Sequence, residues 1–206
     1  MASLLRLGFL ASHHGSNMQA ILDACKTGQL NARGAVVISN NSDSGALARA
    51  RQEGIPACHL SNHTHPGPGG LDQAICAALR DHEVEVVCLA GYMKRLGPQT
   101  LAAYRGRVLN IHPALLPKFG GEGFYGRAVH QAVLAAGETE SGPTVHLVDE
   151  EYDHGPALAQ ARVPVLPGDT PDTLAARVLE QEHRLYAETL QRIASGEIML
   201  EGLKRS

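Results

Sequence analysis

The chain has 206 residues, 44% hydrophobic and 19% charged, which is the composition of a globular protein long enough to bury one sizeable core. The formal net charge of −3 shows no bias towards nucleic acid, and the longest apolar runs have the length of a strand, too short to span a membrane as a helix. We therefore expect no nucleic-acid partner, no membrane partner and a cytoplasmic protein.

Apolar runs alternate with helix-like stretches in the first half of the chain. In chain order they predict a strand over 4–11, a helix over 17–26, a strand over 35–39, a helix over 44–53, a strand over 55–60, a loop over 61–70, a helix over 71–80 and a central strand over 84–90. Such alternation is typical of a parallel sheet with crossover helices.

The second half has a different pattern. We predict a short strand over 107–111, a helix over 127–136, and two strands of antiparallel style over 144–148 and 157–163. Pro171 opens a long helix that ends near Gly196, with a predicted apolar stripe at Leu174, Val178, Leu179, His183, Tyr186 and Leu190. The predicted fold is a single α/β domain over residues 1–206, with a mixed, mostly parallel sheet flanked by helices on both faces.

The cysteines and histidines give no metal signature. No C-x-x-C pair occurs, and each cysteine lies in an apolar segment, which predicts four free thiols at Cys25, Cys58, Cys76 and Cys88. The neighbouring His63 and His65 lack the second cluster of ligands that a zinc site requires. We expect no metal.

A loop of small residues follows the first predicted strand, ending in Gly15, Ser16 and Asn17. At the start of a helix, such a loop exposes backbone N–H groups to an anion, most often a phosphate. Simple capping of the helix by Ser16 or Asn17 is the alternative. The loop is not G-x-G-x-x-G, so a phosphate monoester is a more natural ligand than a dinucleotide.

The segment Ala90–Leu96 follows the central strand. Ligands of open α/β sheets bind outside the carboxyl ends of the strands, and the glycine at the bend exposes backbone groups that can read the edge of a heterocycle. Lys94 and Arg95 are either part of such a site or ordinary surface charges. Their position favours a site.

An amide, an imidazole and a carboxylate follow apolar strands in the second half: Asn110, His112 and Asp153. We expect them in two loops that leave those strands. Each alone is a common turn or surface residue, but together they can hold an oxyanion and move a proton.

These residues give the chain a family resemblance that extends over about residues 4–190. It resembles the glycinamide ribonucleotide formyltransferases, folate-dependent enzymes of purine biosynthesis. The motifs that carry the resemblance are Gly15-Ser16-Asn17, Leu89-Ala90-Gly91-Tyr92-Met93, Asn110-Ile111-His112-Pro113 with Leu115-Leu116-Pro117, Thr144-Val145-His146, Asp153-x-Gly155-Pro156, Gln160 and Gln181-Glu182-His183.

The resemblance implies transfer of a formyl group from the co-substrate 10-formyltetrahydrofolate to the amine of phosphoribosylglycinamide. Asn110, His112 and Asp153 would be the catalytic trio: a protonated His112 and the Asn110 amide would bind the oxyanion, and the Asp153 charge would raise the pKa of His112. No covalent intermediate is required, because the neutral amine is itself a nucleophile.

The same resemblance assigns the binding residues. It implies that Gly15, Ser16 and Asn17 bind the ribose phosphate, that Glu182 holds the substrate amine, and that the pterin lies against Met93, Lys94, Arg95 and Leu96 and the 149–153 loop. A phosphate-binding half would then cover about residues 1–105, and a folate-binding and catalytic half about residues 106–206. The glycine-rich segment 118–126 is expected to order over bound substrate, or else to be a mobile loop.

The chain departs from the family pattern in the 61–70 loop, which has no arginine for folate. We expect Lys94 and Arg95 to bind the folate carboxylates instead, with His63 or His65 as the alternative. From the resemblance we expect the protein to act on small-molecule substrates as a monomer or a homodimer. Methionyl-tRNA formyltransferase and formyltetrahydrofolate hydrolase share the trio but carry additional domains, so we expect chain length to exclude them. A catalytically dead folate- or nucleotide-binding module is a further alternative.

Overall fold

The computed structural model describes residues 3–203. Residues 1, 2 and 204–206 of the domain predicted over 1–206 lie outside the described residues. The helices of the described part are α1 Ser16–Lys26, α2 Gly45–Gln52, α3 Gly70–Asp81, α4 Pro98–Ala103, α5 Arg127–Ala135 and α6 Pro171–Ala194. The strands are β1 Leu5–Leu10, β2 Ala32–Ser39, β3 Ala57–His59, β4 Val86–Leu89, β5 Val108–His112, β6 Glu140–Ser141, β7 Thr144–Leu147, β8 Ala157–Gln160 and β9 Val163–Pro164.

Seven strands form one sheet in the order β3-β2-β1-β4-β5-β7-β8. The pairs β1/β2, β1/β4 and β2/β3 are parallel, and β7/β8 is antiparallel, so the predicted mixed, mostly parallel α/β sheet is confirmed. The chain divides into two compact units. Within the described residues, the first unit contains 3–109 and 190–203, and the second contains Asn110–Thr189.

In the first unit, two glycines show where the helices pack on the sheet. A side chain at Gly34 of β2 would meet Leu22 of α1, and one at Gly8 of β1 would meet Leu79 of α3. Gly34 pairs with Leu7, and Leu7 and Gly8 point to opposite faces because they are neighbours in a strand. Helices α1 and α3 therefore cover opposite faces of this part of the sheet, as the sequence predicts.

In the second unit, helices α5 and α6 share an apolar cluster with strand β9. The cluster contains Val133, Val163, Leu174 and Val178, all at most 4% exposed, and Phe119 packs against it. Strand β9 pairs with β6 in a separate antiparallel ribbon. The strand predicted over 157–163 is therefore two short strands, of which the first pairs with β7 and the second with β6.

Two further predictions need correction. Leu179 was expected in the apolar stripe of α6 but is 36% exposed. The buried face of the helix includes Tyr186 and Leu190 but leaves Leu179 at its edge. Helix α4 was not predicted, because its 6 residues are too few to show a helical period of apolar residues. It is capped from outside: the buried carboxylate of Asp72 in α3 accepts hydrogen bonds from the backbone N–H groups of Gln99 and Thr100. Among the described residues, no helix combines the length and the apolar character that crossing a bilayer requires.

Candidate active site

Asn110 and His112 lie within β5 itself, at its carboxyl end, and not in a loop beyond it as expected. Alternate residues of a strand point to the same face, so the N-x-H spacing places the amide and the imidazole on one side of the sheet. His112 is buried, with 4% of its surface exposed. The spacing of the motif is therefore a consequence of strand geometry.

Asp153 lies in the loop between β7 and β8, with a left-handed backbone at φ 53°. Its Oδ2 atom is 3.3 Å from Nδ1 of His112 and accepts a 3.0 Å hydrogen bond from the backbone N–H of Gly121. Its Oδ1 atom is 3.4 Å from Nε2 of His146. The structure thus brings the predicted carboxylate to the predicted imidazole.

His146 is a site residue that the sequence analysis missed. It is 2% exposed, its Nδ1 lies 2.9 Å from the Leu147 carbonyl, and its Nε2 lies 3.1 Å from Nδ2 of Asn110. Because a carbonyl only accepts, Nδ1 carries a proton. A neutral His146 therefore accepts the Asn110 amide hydrogen at Nε2, and a charged one donates there to Asp153. The first arrangement orients the Asn110 amide and leaves its second N–H for another acceptor.

The ring of His112 is held between two oxygens. Nε2 lies 2.8 Å from the carbonyl of Phe119, opposite the Nδ1 contact with Asp153. Either neutral tautomer leaves one nitrogen lone pair facing an oxygen, and only the imidazolium donates at both ends. Hydrogen bonding thus favours the charged ring, whereas burial favours the neutral one.

Burial has the larger effect on His112. Desolvation lowers the pKa of His112 below its usual value, although the Asp153 charge and the Phe119 carbonyl act to raise it. The Asp153 charge thus acts in the expected direction, while burial opposes the protonated His112 that the expected oxyanion role uses. For Asp153 itself, burial acts to raise the pKa, yet the two imidazoles and the Gly121 N–H together lower it. The carboxylate is therefore ionised at neutral pH.

A buried hydroxyl fixes the segment that follows His112. Oγ1 of Thr144 donates to the Ala114 carbonyl at 2.7 Å and accepts from the Leu116 N–H at 3.1 Å. The Gln160 amide donates to the Leu116 carbonyl and to Thr144 Oγ1, each at 2.9 Å. The H-P-x-L-L-P run is thus tied to strands β7 and β8 through side chains that the family resemblance also quotes.

In the first unit, Gly15 is the N-cap of α1, with φ 72°, and no side chain caps the helix. The alternative that Ser16 or Asn17 serves as a simple cap is therefore wrong, since Ser16 is already the first helical residue. A side chain at Gly15 would crowd the backbone of Ala46 in α2. The small-residue loop thus meets the start of α1 as expected, and binding of a phosphate there stays a prediction.

The predicted folate residues of the first unit lie beyond β4. Met93 is 42% exposed, whereas Leu96 is buried. Lys94 and Arg95 line a cavity of about 990 Å³ together with His63 of the 61–70 loop. His65 is not among the lining residues and bonds to its neighbour Thr64 through Nδ1 at 3.0 Å. Of the two alternative histidines, the structure therefore groups His63 with the cations.

Two further buried groups belong to the second unit. Glu182, the predicted amine-binding residue, lies in α6 and is 8% exposed. His130 of α5 is 4% exposed, and its Nδ1 atom has no hydrogen-bond partner. Burial, with a smaller contribution from the charge of His112, lowers the pKa of His130. Across residues 3–203, no group of three or more histidine, cysteine or acidic side chains is arranged to hold a metal ion.

Comparison with known proteins matches residues 5–190 to a family described as formyl transferase. The phosphoribosylglycinamide formyltransferase of Escherichia coli (strain K12) is 40% identical over 191 residues, which are 93% of this chain and 88% of that protein. The chloroplastic phosphoribosylglycinamide formyltransferase of Vigna unguiculata is 44% identical over 195 residues, or 94% of this chain. The chain spans 62% of the length of that plant relative, less than two thirds.

A solved structure has the same fold. The crystal structure of glycinamide ribonucleotide transformylase 1 from Symbiobacterium toebii matches with a TM-score of 0.90 and 42% sequence identity. The match covers 97% of this chain and 92% of that one.

Gly155→Ala tests how the Asp153 loop is positioned. A methyl group at Gly155 would overlap the carbonyl oxygen of Leu147, the same oxygen that lies against His146 Nδ1. We expect a loss of about 1–3 kcal/mol in the free energy of unfolding, measured by urea denaturation, together with loss of activity. The control is Gly168→Ala, where the methyl meets nothing within 4 Å and only the left-handed backbone, at about 1–2 kcal/mol, opposes it. Equal losses, with full activity in Gly155→Ala, would show that this close approach is unimportant.

The buried histidines predict a loss of stability in mild acid. His112 and His130 have a lower pKa in the folded protein than in the unfolded chain, so the unfolded chain takes up protons first as the pH falls below about 6.5. The free energy of unfolding should therefore decrease from pH 7.5 to pH 5.5. His130→Gln should flatten this decrease, because it removes one of the groups responsible.

His154→Gln is the matched control, with the opposite sign. The hydrogen bond to Asp149 raises the pKa of His154, so this histidine stabilises the fold below about pH 6.5 and loses that effect as the pH rises. Its removal should steepen the loss of stability in acid. Identical pH profiles for the two variants would refute this assignment of the titrating groups.

Proposed function

Because the chain belongs to the formyl transferase family, we propose that it transfers the formyl group of 10-formyltetrahydrofolate to the amine of 5′-phosphoribosylglycinamide. The products would be formylglycinamide ribonucleotide and tetrahydrofolate, a step of purine biosynthesis. The single observation that carries the proposal is the close grouping of Asn110, His146, Asp153 and His112. The Asn110 amide and the His112 ring could bind an oxyanion, and His112 beside the Asp153 carboxylate could move a proton.

The reaction begins when the neutral amine attacks the formyl carbon. A C–N bond forms, the carbonyl electron pair moves to oxygen, and a tetrahedral oxyanion results. The second N–H of Asn110 and an N–H of His112 are the donors proposed for that oxygen, because preorganised donors stabilise an oxyanion more than the ground-state carbonyl. Collapse of the intermediate breaks the bond to the folate nitrogen, which leaves with a proton, while the former amine loses one.

His112 must change partners to take this role. Both ring nitrogens already face an oxygen, the Phe119 carbonyl on one side and the Asp153 carboxylate on the other. Phe119 lies in the glycine-rich segment 118–126, so we propose that this segment moves when substrate binds and frees His112 for the oxyanion. As negative charge develops nearby, the pKa of His112 rises, so His112 takes up the proton that the former amine loses and then gives it to the leaving folate nitrogen.

Each binding role is proposed from the immediate surroundings of the residue concerned. Gly15, Ser16 and Asn17 would hold the ribose phosphate at the start of α1, where the helix dipole favours an anion and the N-cap residue Gly15 has no side chain. Glu182 would bind the substrate amine by its charge. The segment from Met93 to Leu96 would bind the pterin, with the 149–153 loop as a second contact.

We further propose a cytoplasmic enzyme that acts as a monomer or homodimer. The four cysteines are all free thiols, with Cys76 and Cys88 buried and Cys25 and Cys58 partly buried, which suits a reducing compartment.

Formyl transfer is tested by following tetrahydrofolate release with 10-formyltetrahydrofolate and phosphoribosylglycinamide. Release that requires the amine supports the proposal. Equal release of tetrahydrofolate with water alone indicates a formyltetrahydrofolate hydrolase. Transfer only to methionyl-tRNA indicates a methionyl-tRNA formyltransferase, and no release with normal folate binding indicates a binding module.

His112→Ala should lower kcat by about 10² to 10³, because one oxyanion donor and the proton donor are lost, while phosphoribosylglycinamide binding stays close to that of the wild type. The measurement is steady-state kinetics together with calorimetric binding of the substrate. His154→Ala serves as the control. His154 is the exposed residue that follows Asp153 in the chain, and its removal should leave kcat unchanged. A His112→Ala enzyme with more than about a tenth of the wild-type rate would exclude the assigned role.

Lys94→Ala and Arg95→Ala should each raise KM for 10-formyltetrahydrofolate by roughly threefold to fivefold and leave KM for phosphoribosylglycinamide unchanged, because exposed charges act through screened attraction. If His63 makes the contact instead, His63→Ala should raise KM for 10-formyltetrahydrofolate, whereas Lys94→Ala and Arg95→Ala should leave it unchanged. His65→Ala is the control, since it does not line the cavity. Normal folate affinity in Arg95→Ala would refute the role of that arginine.

A further inference from the structure

Ser12 lies where three strands of the first unit end, one residue after Ala11 continues the pairing of β1. It is 1% exposed, so its side chain cannot itself touch a ligand. All of its polar groups are nevertheless used. The backbone N–H donates to the Gly91 carbonyl at 2.9 Å, and the backbone carbonyl accepts from the Asn41 side chain at 2.6 Å.

The hydroxyl of Ser12 joins two separate segments. It donates to Oδ1 of Asn40, beyond β2, at 2.6 Å and accepts from the backbone N–H of Met93, beyond β4, at 2.8 Å. The acceptor on Asn40 fixes the direction of the hydroxyl hydrogen, and this leaves a lone pair aimed at Met93. The backbone of Asn40 is restrained in turn by a 3.3 Å contact between its carbonyl and Nε2 of His59.

Met93 is the residue at which a fixed backbone meets an exposed surface. Its N–H is held by Ser12, and the Gly91 carbonyl two residues earlier is held by the Ser12 N–H. Its own side chain is 42% exposed, and the cavity-lining Lys94 and Arg95 follow directly. A change at the hydroxyl therefore shifts the start of the segment from Met93 to Leu96 without a change in any exposed side chain.

We infer that Ser12 is a positioning residue for the folate-binding segment, acting through the Met93 backbone. The inference rests on the proposed function, because it takes the ligand of the 93–96 segment to be 10-formyltetrahydrofolate. It does not extend to the phosphate loop three residues later. The bonds that hold the backbone of Ser12 come from its own N–H and carbonyl, and these remain when only the hydroxyl is removed.

The test is the kinetics of Ser12→Ala, with Ser12→Thr as the conservative variant. Loss of the hydroxyl should raise KM for 10-formyltetrahydrofolate roughly fivefold to tenfold, the size of one lost hydrogen bond, with KM for phosphoribosylglycinamide and kcat within about twofold of wild type. Threonine keeps the hydroxyl and should return the folate KM to within about twofold.

Ser44→Ala is the matched control. Ser44 is also buried, and its hydroxyl also accepts a backbone N–H, that of Leu47, but it caps α2 and does not contact the 91–96 segment. It should lose melting temperature as Ser12→Ala does and keep the wild-type KM for folate. An unchanged folate KM in Ser12→Ala, or an equal rise in Ser44→Ala, would overturn the inference.

Hydrogen exchange separates this inference from the proposed function. In the unliganded protein the Met93 amide should exchange at least tenfold faster in Ser12→Ala than in the wild type, whatever the enzyme's substrate. Faster exchange in a protein that shows no formyl transfer would count against the proposed function and leave the positioning intact. Unchanged exchange would overturn the positioning itself.

Discussion

The candidate active site depends on one carboxylate held between two buried imidazoles. Asp153 lies 3.3 Å from His112 and 3.4 Å from His146, and a backbone N–H from Gly121 completes its shell. A charge taken out of water destabilises the fold unless it is paired and hydrogen-bonded, so these partners are required for Asp153 to remain ionised. The same contacts set the electrostatic environment of His112, in which burial and the carboxylate act in opposite directions.

The backbone around this carboxylate is built to bring it there. Asp153 has a left-handed backbone, and Gly155 passes so close to the Leu147 carbonyl that no side chain fits between them. Strand β7 supplies His146 on one side of this approach, and Thr144 of the same strand fixes the run after His112. Strand β7 and this loop therefore position His146, Asp153 and, through Thr144, the segment that follows His112. The D-x-G-P motif thus reflects geometry as much as chemistry.

The sequence predicted the periodic parts of this protein and missed those that depend on packing between distant segments. Strand and helix periodicity located most elements of both units to within a few residues but missed the short α4 and β6, and the N-x-H spacing followed from strand alternation. His146 was missed because a histidine in a buried strand has no local mark that separates it from a core residue. The lowered pKa of His112 was not predicted. The motif that contains Asp153 can be recognised in the sequence, whereas the burial that outweighs its charge arises only from packing in the fold. Nothing in the sequence singles out Ser12, since its contacts with Asn40 and Met93 span 28 and 81 residues.

The central claim is that the Asp153 carboxylate supports the positive charge of His112 against burial. The most direct measurement is the pKa of His112 by NMR in the wild type and in Asp153→Asn, with the resonance assigned by its absence in His112→Gln. The account predicts a pKa below the usual value in the wild type and a further decrease in Asp153→Asn, because the asparagine keeps the shape but removes the charge. A pKa that stays the same or rises in Asp153→Asn would contradict it.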